Sequence, residues 1–118
     1  MRAIWIAGVF HAVIGSFIFF LTLHPLRDAL DAHALELTRT GSTWQAFQGA
    51  LLMIAAIGTR ARIASLVIIV GATLSAAMLY FITFTGLRPP IIVLIPIGGS
   101  IATLGAFGLL FAEPTGRD

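Results

Sequence analysis

Four long apolar runs constrain this chain more than any other feature of its sequence. They cover residues 3–23, 42–58, 63–85 and 91–112. A helix needs about 20 apolar residues to cross the roughly 30 Å hydrocarbon core of a bilayer. The runs lack the period-2 alternation of barrel strands, and backbone polar groups in lipid must be satisfied within their own segment. The sequence therefore predicts one all-α domain, residues 1–118: a polytopic membrane protein with a four-transmembrane-helix antiparallel bundle.

The composition excludes the soluble classes of protein. Hydrophobic residues make up 58% of the chain and charged residues 10%, whereas soluble domains carry about 25% charged residues. All seven basic residues are arginines in loops or at the ends of the runs, so no nucleic-acid partner is expected. The chain has no cysteine, which excludes disulfides and thiolate metal sites. The first run is longer than a typical signal-peptide core and is expected to remain as a helix.

The arginines predict the orientation of the chain. One side of the predicted topology carries Arg2, Arg60, Arg62 and Arg117, and the other carries Arg27, Arg39 and Arg88. Arginines in short loops concentrate on the cytoplasmic side of a membrane. The short turn between the second and third runs places two arginines at the membrane with no acid beside them. We therefore expect a multi-pass protein of the inner (plasma) membrane with both ends in the cytoplasm, N-in and C-in.

Residues 24–41 form the predicted outer loop between the first and second spans. Pro25 is suited to end the first helix, because proline lacks the backbone donor. After it, Leu26, Leu30 and Leu37 recur at helical spacing, while the charged residues fall mainly on the other face. The pattern predicts a short amphipathic interfacial helix lying on the outer surface of the membrane. The alternative is a polar linker that is only partly ordered.

Polar side chains inside the predicted spans are the candidates for a binding site. Each costs free energy in lipid unless it is paired within the bundle or lines a cavity. His11 lies near the middle of the first span, and Gln45 and Gln48 share one face of the second. The hypothetical ligand-binding set comprises His11, Gln45, Gln48, Tyr80 and Ser100. The alternative is that these groups form hydrogen bonds that only hold the helices together.

The fourth run contains a proline followed by paired glycines. Pro96 predicts a helix kink, and Gly98 and Gly99 predict close packing against another backbone or room for a ligand. Two series of small residues at four-residue intervals predict helix-packing faces: Gly98, Ala102 and Ala106 in the fourth run, and Gly8, Ala12 and Ser16 in the first.

The residue pattern argues against several kinds of chemistry. No Asp, Glu or Arg lies deep in a span, so the usual proton carrier of a coupled transporter is missing. His11 is intramembrane, whereas His24 and His33 lie at or beyond the outer surface, which does not suit two axial ligands of a haem. No Ser/His/Asp set is evident either. We therefore predict no catalytic residue, no metal site and no cofactor, and a protein that is not an enzyme.

Two motifs carry a family resemblance. With Trp44-Gln45-Ala46-Phe47-Gln48 and Pro96-Ile97-Gly98-Gly99, the chain resembles a diverged member of domain-of-unknown-function family 423, which groups small four-helix inner-membrane proteins. Leu79-Tyr80 also fits the family outline. The family's histidine in the second helix falls on Gln48, and the threonine before its proline falls on Ile95. The resemblance implies the fold and the membrane location, and it implies no reaction.

Two functional hypotheses follow from these observations. The first is a non-enzymatic accessory or scaffold protein, or a bundle that binds an apolar ligand such as a lipid or a quinone. Its partners are membrane lipids, with a homo-oligomer or a larger membrane complex also expected because four short helices enclose little volume. The alternative is a small transporter or channel with its path at an oligomer interface and His11 as the titrating group.

Overall fold

The computed structural model describes residues 1–116 and is helical almost throughout. Its α-helices are α1 (Arg2–Leu23), α2 (Pro25–Ala29), α3 (Ala32–Gly58), α4 (Arg62–Thr85) and α5 (Leu94–Gly108), with 3₁₀ turns at Pro90–Val93 and Leu109–Phe111. The only β pairing in these residues is an isolated bridge between Thr59 and Pro114. The all-α prediction is confirmed. Arg117, which entered the arginine count, lies outside the described residues.

Three helical stretches are long and apolar enough to cross a membrane. They are Arg2–Leu23, Arg62–Thr85 and Pro90–Phe111. Their outward faces carry large apolar side chains: Phe10, Phe17, Phe20, Leu66, Phe84 and Leu104 are all more than half exposed. An apolar outer surface of this kind suits lipid as the surrounding solvent.

Small residues bring the helices together as two hairpins. α1 packs along α3 and α4 along α5, while the contact between α3 and α4 is smaller. A Cβ atom on Gly49 of α3 would lie 2.6 Å from the Gly8 carbonyl oxygen of α1. A Cβ atom on Gly71 of α4 would lie 2.5 Å from the Gly98 carbonyl oxygen of α5. Backbones that approach this closely are typical of helix packing in lipid, where small residues replace a large apolar core.

The packing faces follow a spacing of three and four residues rather than four alone. The buried residues of α1 are Ile4, Gly8, His11, Gly15, Ile18 and Thr22, and those of α5 are Gly98, Ala102 and Gly105. Gly15 therefore occupies the place expected for Ser16, which is exposed. Ala106 is only partly buried, against the cluster of Ile4, Leu52 and Ile68. The alternating spacing keeps contacting residues on one side of a helix that has 3.6 residues per turn.

The segment between the first two predicted spans differs from the prediction. The outer connection is shorter than residues 24–41, because residues 32–41 are the first turns of α3 rather than part of a separate interfacial helix. Only α2 is a separate short helix there. Leu30 is extended, and the Asp31 carboxylate accepts a hydrogen bond from the Ala34 backbone N–H at 2.8 Å. Asp31 thus caps a new helix, and the separate helix α2 ends after little more than one turn.

Pro96 lies in the first turn of α5, where its missing backbone N–H is one of the donors that a helix leaves free in any case. The irregular geometry precedes it, as the 3₁₀ turn Pro90–Val93. Gly98 faces α4, but a Cβ atom on Gly99 would have no neighbour within 4 Å. Of the two glycines, only the first is needed for close approach within the chain.

The described parts of both chain ends lie at one end of the molecule. Met1 and Leu109 pack against the same core cluster, beside Leu52. The Thr115 backbone N–H donates to the Gly58 carbonyl oxygen at 2.9 Å, close to the α3–α4 turn. At the opposite end, the Thr38 and Thr83 hydroxyl oxygens are 2.9 Å apart and join α3 to α4.

Candidate functional site

A groove of about 550 Å³ lies between α1 and α4, which touch each other only slightly. Its apolar lining comprises Ala3, Ile6, Ala7, Phe10, Ile14, Ile69, Ala76 and Ala77, and its polar lining comprises His11, Gln45, Thr73 and Tyr80. Ligand sites of about 300–1,000 Å³ are commonly built in this way, with apolar walls and a few convergent polar groups.

The polar part of the groove lies at the middle of two spans. His11 is near the centre of Arg2–Leu23, and Thr73 is near the centre of Arg62–Thr85. Both helices start from the same end of the molecule, so residues of equal rank along them lie at equal depth. The small side chains of Ala76 and Ala77, one turn beyond Thr73, leave the space that forms this part of the groove. The site therefore places polar groups at the middle of two helices that are long and apolar enough to cross a membrane.

Four side chains from three helices form a continuous hydrogen-bonded chain. The Tyr80 hydroxyl donates to Gln45 Oε1. Gln45 Nε2 lies 3.2 Å from His11 Nδ1, and His11 Nε2 lies 3.2 Å from Thr73 Oγ1. Gln45 is 2% exposed and His11 is 4% exposed. The chain thus links α4 to α3, α3 to α1, and α1 back to α4.

The chemistry of the donors sets the direction of these hydrogen bonds. An amide nitrogen can only donate, so Gln45 Nε2 donates and His11 Nδ1 accepts. A neutral imidazole that accepts at Nδ1 carries its proton on Nε2, which then donates to Thr73 Oγ1. Both imidazole nitrogens are therefore engaged. The chain ends on the Thr73 hydroxyl, which lies at the exposed side of the groove.

The structure brings together three of the five side chains in the predicted set. His11, Gln45 and Tyr80 are in one hydrogen-bonded chain. Thr73 is a fourth member that the sequence reasoning missed. It stands seven residues before Tyr80 and so shares a helix face with it, and this spacing is the signal that identifies it.

Gln48 and Ser100 are not part of this chain. Gln48 is 8% exposed, and its Oε1 atom has no hydrogen-bond partner among residues 1–116. Ser100 is exposed on α5, which packs mainly on α4, and its hydroxyl donates to the Pro96 carbonyl oxygen at 2.8 Å. Gly98 packs on α4 and Pro96 is exposed in the first turn of α5, and neither they nor Gly99 line the groove.

The groove is uncharged along its length. None of its lining residues is Asp, Glu, Lys or Arg. Within the described part of the chain, no group of three His, Cys, Asp or Glu side chains is arranged to hold a metal ion. The arrangement can surround an apolar molecule and offer hydrogen bonds to a neutral polar group of that molecule.

Comparison with known proteins identifies the family. The model of the family described as "Protein of unknown function (DUF423)" matches residues 21–99, which include α3 and α4 and therefore Gln45, Thr73 and Tyr80. Comparisons with curated proteins and with solved structures gave no match. Because the family model covers more than half of the chain, the protein belongs to the DUF423 family.

Proposed function

We propose that the chain crosses the membrane four times, and that α3 is a span in addition to the three helical stretches named above. The support is its position along α1: a Cβ atom on Gly15 would lie 2.6 Å from the Ser42 carbonyl oxygen, and one on Gly8 would lie 2.9 Å from the Gly49 carbonyl oxygen. Residues 42–58 carry no charge and extend for about 26 Å at 1.5 Å per residue. In this proposal α2 and the polar first turns of α3 lie in the outer interface.

We also propose that both ends lie in the cytoplasm at the inner membrane. Arg2, Arg60 and Arg62 are at the end of the molecule that holds the described parts of both termini. At the other end, Arg27 lies 3.6 Å from Asp28, and Arg39 donates to the Thr22 carbonyl oxygen at 3.0 Å. Arg88 is also at that end, which makes three arginines at each end. The rule is satisfied at the first end by Arg60 and Arg62, which lie together in one short turn directly beside two spans.

The absence of cysteine makes this topology directly testable. Single substitutions His33→Cys and Arg88→Cys should react with an impermeant maleimide in intact spheroplasts. Arg60→Cys and Glu113→Cys should react only after the membrane is opened. If α3 lay on the surface instead of spanning, His33→Cys and Arg60→Cys would label from the same side.

For the activity, we propose that the protein binds an apolar ligand, a lipid or a quinone, in the groove between α1 and α4. The observation that carries this proposal is the chain of hydrogen bonds ending at Thr73 on an apolar groove of about 550 Å³. The polar groups would orient the head of the ligand, and the alanine-rich wall would hold its apolar part. Binding without catalysis fits His11, whose two ring nitrogens are both engaged within the protein.

The test is native mass spectrometry of the protein after gentle detergent extraction from its own membrane. The wild type should retain a discrete lipid or quinone at fixed stoichiometry. In Ala77→Trp the indole should fill the groove and lower occupancy about tenfold or more, the equivalent of 1.4 kcal/mol. The matched control is Ser100→Trp, which puts the same side chain on an exposed site of α5 and should leave occupancy unchanged.

Two results would count against the binding proposal. Equal loss in both variants would mean that the groove does not hold the ligand. A bare homo-oligomer, with a pH-dependent flux in liposomes that His11→Ala abolishes, would favour transport instead.

A further inference from the structure

We infer that the groove selects a neutral, lipid-soluble molecule through a carbonyl oxygen, such as that of a quinone, which accepts a hydrogen bond from Thr73. This inference rests on the proposed ligand-binding function and narrows the class of ligand. The juxtaposition that carries it is the 3.2 Å approach of His11 Nε2 to Thr73 Oγ1 at the wall of the groove.

Thr73 is the member of the chain that presents a proton to a ligand. The Tyr80 hydroxyl already donates its hydrogen bond to Gln45, and the Gln45 amide and the His11 ring are almost fully buried. Thr73 is exposed on the groove, and its oxygen accepts the His11 proton. The hydroxyl proton of Thr73 is not used in that bond and remains for an acceptor in the groove.

Three other hydroxyls, on α3, α4 and α5, are engaged differently. Thr38, Ser65 and Thr103 each donate to the carbonyl oxygen four residues earlier in the chain, at 2.7, 2.8 and 2.9 Å. Within residues 1–116, Thr73 makes no such bond, although the Ile69 carbonyl stands four residues before it. The bond to His11 holds the Thr73 oxygen towards α1 and towards the groove.

The depth of Thr73 in the bilayer and the lack of charged side chains in the groove decide which ligand group can accept the Thr73 proton. His11 and Thr73 lie at the middle of their spans, about 15 Å from either surface of the hydrocarbon core. No charged side chain lines the groove, and a charge at this depth is costly unless it is paired. The charged head of a phospholipid therefore stays at the interface, and the group bound at Thr73 is neutral.

A ligand carbonyl fits this site better than a ligand hydroxyl, because the two groups differ in the hydrogen bonds that they need. A carbonyl oxygen accepts the Thr73 proton and brings no proton of its own. A ligand hydroxyl would add a donor that needs another acceptor in an apolar groove, and an unpaired buried donor is costly. Quinones and esters both supply such an oxygen, and of these the compact quinone ring can sit wholly within the hydrocarbon region.

The test uses purified protein in lipid nanodiscs and three decyl probes: decyl-benzoquinone, decylbenzene and methyl decanoate. Wild type should bind the benzoquinone about tenfold more tightly than decylbenzene, the effect of one hydrogen bond. The infrared carbonyl band of the bound quinone should move to lower wavenumber. Thr73→Val should abolish both the preference and the shift, and Thr73→Ser should retain them. Methyl decanoate should bind more weakly than the quinone and more tightly than decylbenzene.

Each part of the inference can fail separately. Equal binding of decyl-benzoquinone and decylbenzene by wild type, unaltered in Thr73→Val, would overturn the carbonyl inference. In that case, loss of both probes in Ala77→Trp would still support groove binding. If methyl decanoate bound as tightly as the quinone, the preference for a quinone over an ester would be overturned, and the carbonyl inference would stand. If no probe bound to wild type, the proposed binding function itself would fail.

Discussion

Gly98→Ala should destabilise the protein by about 1–3 kcal/mol, the usual effect of forcing an extra methyl group into a packed site. The Cβ atom would lie 2.6 Å from both the Gly71 carbonyl oxygen and the Ser75 backbone nitrogen of α4. Both are backbone atoms, so the clash is relieved only if α5 moves away from α4 as a whole. The measurement is unfolding in detergent micelles by sodium dodecyl sulfate, followed by far-ultraviolet circular dichroism.

The neighbouring glycine supplies the control. A Cβ atom on Gly99 would have nothing within 4 Å, so Gly99→Ala should change stability by no more than about 1 kcal/mol, the difference in helix propensity. The two variants have the same composition and differ only in the helix face that carries the methyl group. Equal destabilisation would show that α5 does not pack on α4 through Gly98, and would contradict the hairpin.

The bounds of the helices were predictable where they depend only on the length and apolarity of a run. The predicted runs 3–23 and 63–85 agree closely with Arg2–Leu23 and Arg62–Thr85, because a long apolar run in lipid has no other way to satisfy its backbone. The start of α3 was not predicted. It depends on one hydrogen bond, which the Asp31 carboxylate accepts from the Ala34 backbone N–H, and the signal of this cap in the sequence is weak beside a hydrophobic pattern that continues across it.

The packing faces were only partly predictable. Small residues mark where backbones can approach, and the series beginning at Gly8 and Gly98 do face other helices. The third member of each series was misplaced, because Gly15 and Gly105 are buried one position before Ser16 and Ala106. A strict interval of four residues drifts around a helix of 3.6 residues per turn, whereas alternating intervals of three and four stay on one side.

The candidate site shows the same limit. Polar residues within apolar spans identified His11, Gln45 and Tyr80, because lipid makes such residues costly unless they are paired. The sequence does not state how each helix is rotated about its axis or which helices are neighbours. Those two properties bring Thr73 into the chain and leave Ser100 on the outside of α5.

Gln45→Met and Gln48→Met should have opposite effects on stability, although the two residues are almost one turn apart on α3. Methionine matches the length of glutamine and removes its hydrogen-bonding groups. At position 45 it leaves His11 Nδ1 and the Tyr80 hydroxyl without their partner, and a loss of about 1–3 kcal/mol is expected. At position 48 it removes a buried Oε1 atom that has no partner within residues 1–116, and a gain of about 1 kcal/mol is expected.

The unfolding assay used for the glycine variants measures both changes, and the double variant tests whether they are independent. Neighbouring sites couple by about 0.5–3 kcal/mol, and because Gln48 shares no hydrogen-bond partner with the chain at Gln45, the coupling should lie at the lower end of that range. Destabilisation by Gln48→Met would mean that Gln48 has a polar partner in the folded protein, and non-additivity would make that partner part of the His11 chain. Opposite and nearly additive effects would instead mean that the hydrogen-bonded chain in the groove consists of His11, Gln45, Thr73 and Tyr80, without Gln48.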